Sequence, residues 1–276
     1  MEQALEQNTD LRVAYLKTEE AKAVVQNAKL AYLPSAELKA EGAVSRFDGS
    51  TSKTYNLGAG ASWEIDLFGK LTAAKREAAA ALESSEAYRQ AVQTQLVSTV
   101  ADSYYTLLML DRQLGINTET QKNWTATIRV LEALKKNGRS NEAAVLQARA
   151  NLITLENAEI SLRKSISETE NALSSLLAMP SQSIERGVLD NQAFPENLSV
   201  GVPLQLLSKR PDVRQAESEL ARAFYATNVA RAAFYPSINL AGIVGWTNNG
   251  GGIVLNPGQW LLNAIGSLTQ PLFNRG

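Results

Sequence analysis

Acidic side chains at alternating positions are the groups in this sequence best placed to act on other molecules. Glu37 and Glu41 flank Lys39 in one segment. Glu64 and Asp66 lie in a second. A period of two puts such side chains on one face of a strand. If that face lines water, the sequence predicts an acidic mouth that favours cations; the alternative is a face that is only solvated.

The composition argues against catalysis. The 276 residues include no cysteine and no histidine, which removes thiol nucleophiles, the usual zinc ligands and the commonest general base. A net charge of -1 gives no bias towards nucleic acid. We therefore expect no enzyme activity, no metal site, no cofactor and no nucleic-acid partner.

Amphipathic strands must position the acidic residues. From Tyr55 to Leu67, apolar residues such as Trp63 and Ile65 alternate with small or polar ones. Three further segments alternate in the same way but less regularly: one near Leu38, one near Ile238 and one at Trp260–Phe273. One such strand fits a soluble sandwich, but two hairpins favour a membrane barrel with an aqueous interior. Three tryptophans are then interface aromatics, unless they are ordinary core residues: Trp63, Trp246 and Trp260.

A proline-free region, from Leu71 to Met179, predicts a long helical hairpin. Its arms, Lys70–Lys136 and about 38 residues up to Met179, would measure roughly 100 Å and 57 Å. Gly138 suits a helix C-cap, and Ser140 or Asn141 an N-cap. Heptad spacing predicts a coiled-coil seam of Leu96, Val100, Leu107, Leu110, Leu114, Trp124, Ile128, Leu131, then Val145, Ala148, Leu152, Leu155, Leu162, Ile166, Leu173 and Leu176. Polar residues interrupt it at Ser103, Asn117, Gln121, Glu159 and Thr169.

An internal repeat organises the rest of the chain. Residues from Asp10 to Leu38 recur from Asp212 to Leu240 at an offset of 202, which predicts two copies of a helix, strand, loop, strand unit. The second copy reaches Gly276 before another long hairpin. We expect a chain truncated at both ends that does not form a conducting trimer alone.

Five phrases in order, AKLAYLPSAEL, SWEIDLFGKL, LLSKRPDVRQAESEL, ARAAFYPSINL and SLTQPLFNRG, resemble the outer-membrane efflux protein family of the TolC and NodT type. The similarity covers essentially the whole chain. It implies a mainly α fold with β strands. It also implies a homotrimer in which each chain gives four strands to one barrel of about twelve strands in the outer membrane. The helices would continue this barrel as a tunnel across the periplasm of a Gram-negative bacterium.

The resemblance also implies roles for particular residues. The pore-lining set would be Glu37, Lys39, Glu41, Glu64 and Asp66. The strand-to-helix turns would be Pro34, Gly69, Pro236 and Pro271. The hairpin tip that docks a periplasmic adaptor would be Asn137, Gly138, Arg139, Ser140 and Asn141, unless these residues only cap a turn. Arg139 and Ala144 depart from the family pattern, which leaves the choice of adaptor open.

The predicted segments are a tunnel helix (1–33), a barrel hairpin (34–68), the long helical hairpin (69–179, tip 136–141), an equatorial connector (180–210), a second helix (211–235) and a second barrel hairpin (236–276). A lipid-bearing cysteine, as in the NodT branch, would lie upstream of Met1.

We expect a channel subunit that forms the exit duct of a tripartite, RND-type efflux pump for drugs or small solutes. Its partners would be a periplasmic adaptor, an inner-membrane transporter and outer-membrane lipid. One alternative is the exit duct of a type I protein-secretion system. Another is a periplasmic adaptor or scaffold, although no lipoyl-like domain flanks the hairpin.

Overall fold

The computed structural model describes residues 1–193, 207–247 and 259–271. Two compact units are present, Met1–Tyr15 with Arg89–Leu206 and Leu16–Tyr88 with Leu207–Gly276. The elements are α1 (Glu2–Gln7), α2 (Thr9–Leu30), β1 (Ser35–Phe47), β2 (Ser50–Ile65), α3 (Lys70–Lys136), α4 (Glu142–Leu176), a 3₁₀ turn (Leu189–Asn191), α5 (Pro211–Ala232), β3 (Ser237–Thr247) and β4 (Gln259–Thr269). The mainly helical fold class with antiparallel strands is as predicted. Among the described residues, no helix has both the length and the apolar character needed to span a bilayer.

The break between α3 and α4 is made by the residues that the sequence indicated. Gly138 has φ +70, and its N–H donates to the Lys135 carbonyl at 3.0 Å. The Arg139 N–H donates to the Leu134 carbonyl at 2.8 Å, which completes a Schellman motif at the end of α3. Asn141 is the N-cap of α4, because its Oδ1 accepts from the Ala144 N–H at 2.9 Å. The predicted first arm, Lys70–Lys136, is confirmed.

The second arm ends at Leu176, three residues before the predicted Met179. Ala178 adopts φ +52, and the Met179 N–H donates to the Ser174 carbonyl at 2.9 Å. A second Schellman motif therefore stops α4, although its left-handed residue is alanine. Alanine rarely adopts this conformation, so its presence does not mark a helix end in the sequence. The predicted end of α4 was therefore too late.

The seam between α3 and α4 is apolar, as the heptads predict. All sixteen seam positions are buried or half-buried. Leu96, Val100, Leu107 and Leu173 form a buried cluster with Ala4 of α1. The first unit is thus held together by apolar contacts between residues far apart in the chain.

Three of the polar residues that interrupt the seam hydrogen-bond to one another, and one of these bonds crosses from α3 to α4. The Gln121 Nε2 donates to the Asn117 Oδ1 at 2.7 Å and to the Glu159 Oε2 at 2.9 Å. Hydrogen bonds from Gln121 and then Arg163 lower the pKa of Glu159. A polar contact at one level of an apolar seam fixes the register of the two helices.

The segment that follows α4 is fastened to the hairpin by Arg186. Its Nη2 lies 2.9 Å from the Asp111 Oδ1 on α3, and its Nη1 lies 2.5 Å from the Glu170 Oε1 on α4. Glu170 also accepts from the Ser183 hydroxyl at 3.2 Å. The side chains of Arg186 and Glu170 are only 14% and 15% exposed, so this ion pair is shielded from water.

In the second unit, the helices approach closely through small side chains. The buried residues on the first turns of α3 are Ala73, Ala78, Ala80, Ser84 and Ala87. The Ser84 hydroxyl donates to Glu219 of α5 at 2.8 Å, and the Ser85 hydroxyl lies 3.3 Å from that of Thr18 on α2. Small side chains and these hydroxyl contacts thus join α3 to α2 and α5.

The strands form one antiparallel sheet in the order β1-β2-β3-β4. A two-residue turn with positive φ at Asp48 and Gly49 joins β1 to β2. The pairing of β2 with β3 joins the two predicted hairpins into one surface. Two bounds were wrong: β2 ends at Ile65 rather than Leu67, and β4 ends at Thr269 rather than Phe273, which lies outside the described residues.

Candidate functional site: the two faces of the sheet

One face of the sheet is apolar across all its strands. Leu38 lies opposite Ala59, which lies opposite Val244, which lies opposite Leu262. Directly opposed residues project to the same side of a sheet, so the register builds one continuous apolar surface. Leu38 is 88% exposed and Leu262 is 83% exposed. An exposed apolar surface of this kind is typical of a binding or membrane contact.

The opposite face carries the predicted pore-lining residues of the strands. Glu37, Lys39 and Glu41 occupy it on β1, and Glu64 occupies it on β2. On β3, Asn239 lies opposite Glu64. Ile243 and Ile265 depart from the polar pattern, and Ile265 is 56% exposed. The residue types therefore segregate by face, with a polar side that suits contact with water.

Two lysines reduce the negative charge of this polar face. The Lys39 Nζ lies 2.8 Å from the Glu37 Oε1, and the Lys70 Nζ lies 2.9 Å from the Glu64 Oε1. Glu41 is exposed. This face thus holds paired carboxylates beside Glu41, so its net negative charge is smaller than the acidic residues alone indicate.

Asp66, which is predicted to line the pore, caps a helix in the structure. Its Oδ1 accepts from the Leu71 N–H at 2.9 Å, and its Oδ2 accepts from the N–H and hydroxyl of Thr72 at 2.9 and 2.6 Å. Burial opposes ionisation, but these hydrogen bonds hold the pKa of Asp66 below its ordinary value. The carboxylate stabilises the start of α3, where the helix dipole favours negative charge.

The four predicted turn residues all lie at ends of strands. Pro34 precedes β1, Pro236 precedes β3, and Pro271 follows β4. Gly69 stands between β2 and α3 with φ +76, a conformation that favours glycine. Near these turns, Phe68 stacks on Tyr235 with ring centroids 5.0 Å apart.

The tryptophans mark two levels of the apolar face. Trp63 lies opposite Leu240, whereas Trp246 lies opposite Leu57 and Trp260. Along β3 these levels are six residues apart, about 20 Å at the rise of a strand. The Trp63 Nε1 donates to the Tyr32 carbonyl at 2.9 Å. The Trp260 side chain lies outside the described part of the chain.

The predicted docking tip is a polar turn closed by ion pairs. Glu142 pairs with Lys135, and Arg149 lies 2.5 Å from Glu132. Asn137, Gly138, Arg139 and Asn141 are exposed, and Ser140 is half-buried. The tip geometry fits both a capped turn and a docking surface.

Three residues that make contacts at this site, Lys70, Tyr32 and Thr72, were not predicted from the sequence. Their partners lie 6 to 40 residues away, so no local pattern identifies them. Within the described ranges, no cluster of His, Cys, Asp or Glu could hold a metal ion.

An exposed apolar sheet face backed by a polar one is typical of strands in membrane β-barrels. The family model for outer membrane efflux proteins matches residues 1–179 and 202–276, and the chain belongs to that family. Its location is accordingly the outer membrane of a Gram-negative bacterium.

Relatives and solved structures agree with this assignment. The chain is 33% identical to the probable outer membrane lipoprotein SilC of Salmonella typhimurium over 99% of its length, and 32% identical to the cation efflux system protein CusC of Escherichia coli O157:H7 over 99%. It spans 60% of each of these curated relatives. The outer-membrane channel OprN superposes with a TM-score of 0.89 at 27% identity, covering 98% of this chain and 62% of that one. The open MtrE channel of Neisseria gonorrhoeae gives 0.87 at 29%, covering 100% and 63%.

Proposed function

We propose that the protein is a channel subunit that forms the exit duct of a tripartite efflux pump. It carries out no chemistry on its cargo. An inner-membrane transporter supplies the energy, and a periplasmic adaptor couples that transporter to the duct. Small solutes leave through the water-filled interior that the polar face of the sheet lines.

The observation that carries this proposal is the segregation of residues between the two faces of the sheet. Lipid contact explains the exposed Leu38, Val244 and Leu262, which would be unfavourable in water. The two tryptophan levels, about 20 Å apart along a strand, are close to the height of the apolar band of barrels, about 25 Å. A periplasmic adaptor or scaffold would have no need of such a surface.

Adaptor docking at the tip is supported by its polar, exposed residues. Arg139 is exposed at the end of α3, where Lys135 and Lys136 also lie. The ion pair of Lys135 with Glu142 leaves Lys136 and Arg139 as the basic residues of the tip offered to a partner. A partner that docks here would present carboxylates or backbone carbonyls.

The structure indicates the cargo less directly than the duct, because the relatives are named for different cargoes. They include a cation efflux protein, a pyoverdine exporter and a toluene efflux pump protein. The partly neutralised polar face fits a duct that discriminates weakly. We propose small solutes, with selectivity set by the inner-membrane transporter, in preference to a type I protein-secretion duct.

Single-channel conductance in a planar bilayer tests the proposal, with the protein at its full natural length. We expect stepwise openings with a modest preference for cations. Glu37→Gln with Glu41→Gln should lower that preference, because Lys39 loses its partner and the polar face loses two carboxylates.

Glu19→Gln with Glu20→Gln is the matched control, since both residues are exposed on α2 and lie outside the sheet. It should leave selectivity unchanged. Trimeric protein that inserts but never opens a water-filled pore would overturn the channel proposal.

A further inference from the structure

A basic pocket lies where α2 and α3 meet the strands. It has a volume of about 410 Å³ and is lined by Lys29, Tyr32, Thr72, Lys75 and Arg76. Lys29, Lys75 and Arg76 are exposed. Its described lining contains three cations and no carboxylate, and none of the three cations takes part in a salt bridge within the described chain.

The walls of the pocket are held in place by hydrogen bonds. The Tyr32 hydroxyl donates to the Thr72 Oγ1 at 2.9 Å, and the Thr72 hydroxyl in turn donates to Asp66 at 2.6 Å. The Lys75 Nζ lies 5.6 Å from the centroid of the Tyr32 ring. Because the hydroxyl hydrogens are already used, the donors offered to a ligand are the three cationic groups.

The helix period places this pocket on the side away from the polar face. Lys70 pairs with Glu64 on that face. At 100° per residue, Thr72, Lys75 and Arg76 lie at about 200°, 140° and 240° from Lys70 around α3. Positions 72, 75 and 76 therefore share one face of the helix, opposite Lys70.

Trp63 connects the same pocket to the apolar face. Its indole N–H donates to the carbonyl of Tyr32, whose side chain lines the pocket. Trp63 belongs to the level of the apolar face that lies nearest the helices. The pocket thus stands at the height where an interfacial tryptophan marks the border between hydrocarbon and headgroups.

We propose that this pocket binds the phosphate of an anionic phospholipid headgroup. The three cations supply the charge, and the apolar face above them receives the acyl chains. Basic pockets at the membrane border bind such headgroups, and each basic residue near an anionic membrane surface makes the free energy of binding more favourable. The inference rests on the proposed function, because it requires that the apolar face meets lipid.

Lipid binding to the full-length protein tests the inference, with native mass spectrometry in neutral detergent as the measurement. Phosphatidylglycerol should bind more tightly than phosphatidylcholine. Lys75→Gln with Arg76→Gln should weaken phosphatidylglycerol binding about tenfold or more. Lys122→Gln with Arg129→Gln, an equal loss of charge at exposed positions of the same helix, should leave it unchanged.

Equal phosphatidylglycerol binding by both double variants would overturn the inference. A second arm titrates inorganic phosphate: if phosphate alone occupies the pocket as tightly as phosphatidylglycerol, the lipid assignment fails in favour of a soluble anion. Conductance in a phosphatidylcholine bilayer separates the two proposals. Protein that conducts without preferring phosphatidylglycerol contradicts only this inference, whereas protein that prefers it but never conducts contradicts the channel.

Discussion

Two helix ends in this molecule use a left-handed residue, but the residues differ in kind. Gly138 adopts φ +70 after α3, and Ala178 adopts φ +52 after α4. Both ends form Schellman motifs with matching hydrogen bonds. An alanine side chain makes this conformation costly, whereas glycine tolerates it. Ala178 is therefore a strained position in an otherwise regular motif.

Ala178→Gly should stabilise the protein by about 0.5–1 kcal/mol, since relief of the strain exceeds the added freedom of glycine in the unfolded chain. Thermal unfolding followed by circular dichroism would measure the change. The matched control is Ala172→Gly, an exposed position inside α4, which should lose about 1 kcal/mol. Destabilisation by both substitutions would show that Ala178 carries no strain.

Single residues also show what the sequence could and could not predict. Gly138 and Asn141 could be predicted as helix caps, because residue type and position in the sequence are enough to identify such caps. Asp66 continues an alternating pattern, yet its carboxylate turns to the N–H groups of α3. The pairing of Glu37 with Lys39 was not foreseen either, because strand alternation says which face a side chain takes and not which partner it meets.

At the scale of elements, the hairpin is held by local and by distant contacts. The heptads predicted the seam because each seam residue repeats at a fixed spacing. By contrast, Arg186 joins its segment to Asp111, 75 residues away, and no spacing rule finds such a pair. The same limit applies to the pairing of β2 with β3, which alternation within each strand cannot specify.

The Arg186 contacts predict how stability changes with pH. Burial opposes ionisation of Glu170, but hydrogen bonds led by that from Arg186 lower its pKa. A lowered folded-state pKa stabilises the fold above the ordinary glutamate value, about 4.3, and this stabilisation is lost as pH falls through the lowered pKa. Glu170→Gln should cost about 2 kcal/mol at pH 7 and flatten the pH dependence below about 4.

Thermal unfolding of wild type and variant between neutral and acid pH provides the measurement. Glu168→Gln is the control, because its pair with Lys164 is 3.7 Å long and exposed, and it should change stability little. If Glu170→Gln and Glu168→Gln behaved alike at every pH, the buried contact would have no role in holding this segment.

At the scale of the whole molecule, the sheet is incomplete. Its four strands leave β1 and β4 as outer edges within the described chain. An unpaired strand edge is not tolerated in hydrocarbon, because its N–H and carbonyl groups would lack partners. Four strands are also too few to close, since membrane barrels begin at eight. If the apolar face meets lipid, we therefore expect copies of the full-length protein to join edge to edge.

The homotrimer that the family resemblance implies agrees with the need for a water-filled interior. Eight strands from two copies would enclose a space that side chains largely fill. Twelve strands from three copies are the smallest multiple of four that widens this interior. A head-to-tail contact of β4 with β1 closes into a ring when the rotation per copy is one third of a turn.

Cysteine cross-linking of the protein at its full natural length tests this closed trimer, and residues 1–276 contribute no cysteine of their own. Ala40→Cys in β1 is combined in turn with a cysteine at Leu262, Ala264 or Gly266 of β4, all on the apolar face. Oxidation of one combination in the membrane should give a covalent species of three chains and none larger, because the ring is closed. Ala40→Cys alone should stay monomeric on a denaturing gel. A ladder that continued beyond three chains, or that stopped at two, would contradict the trimer and require a different route for satisfying the edges of β1 and β4.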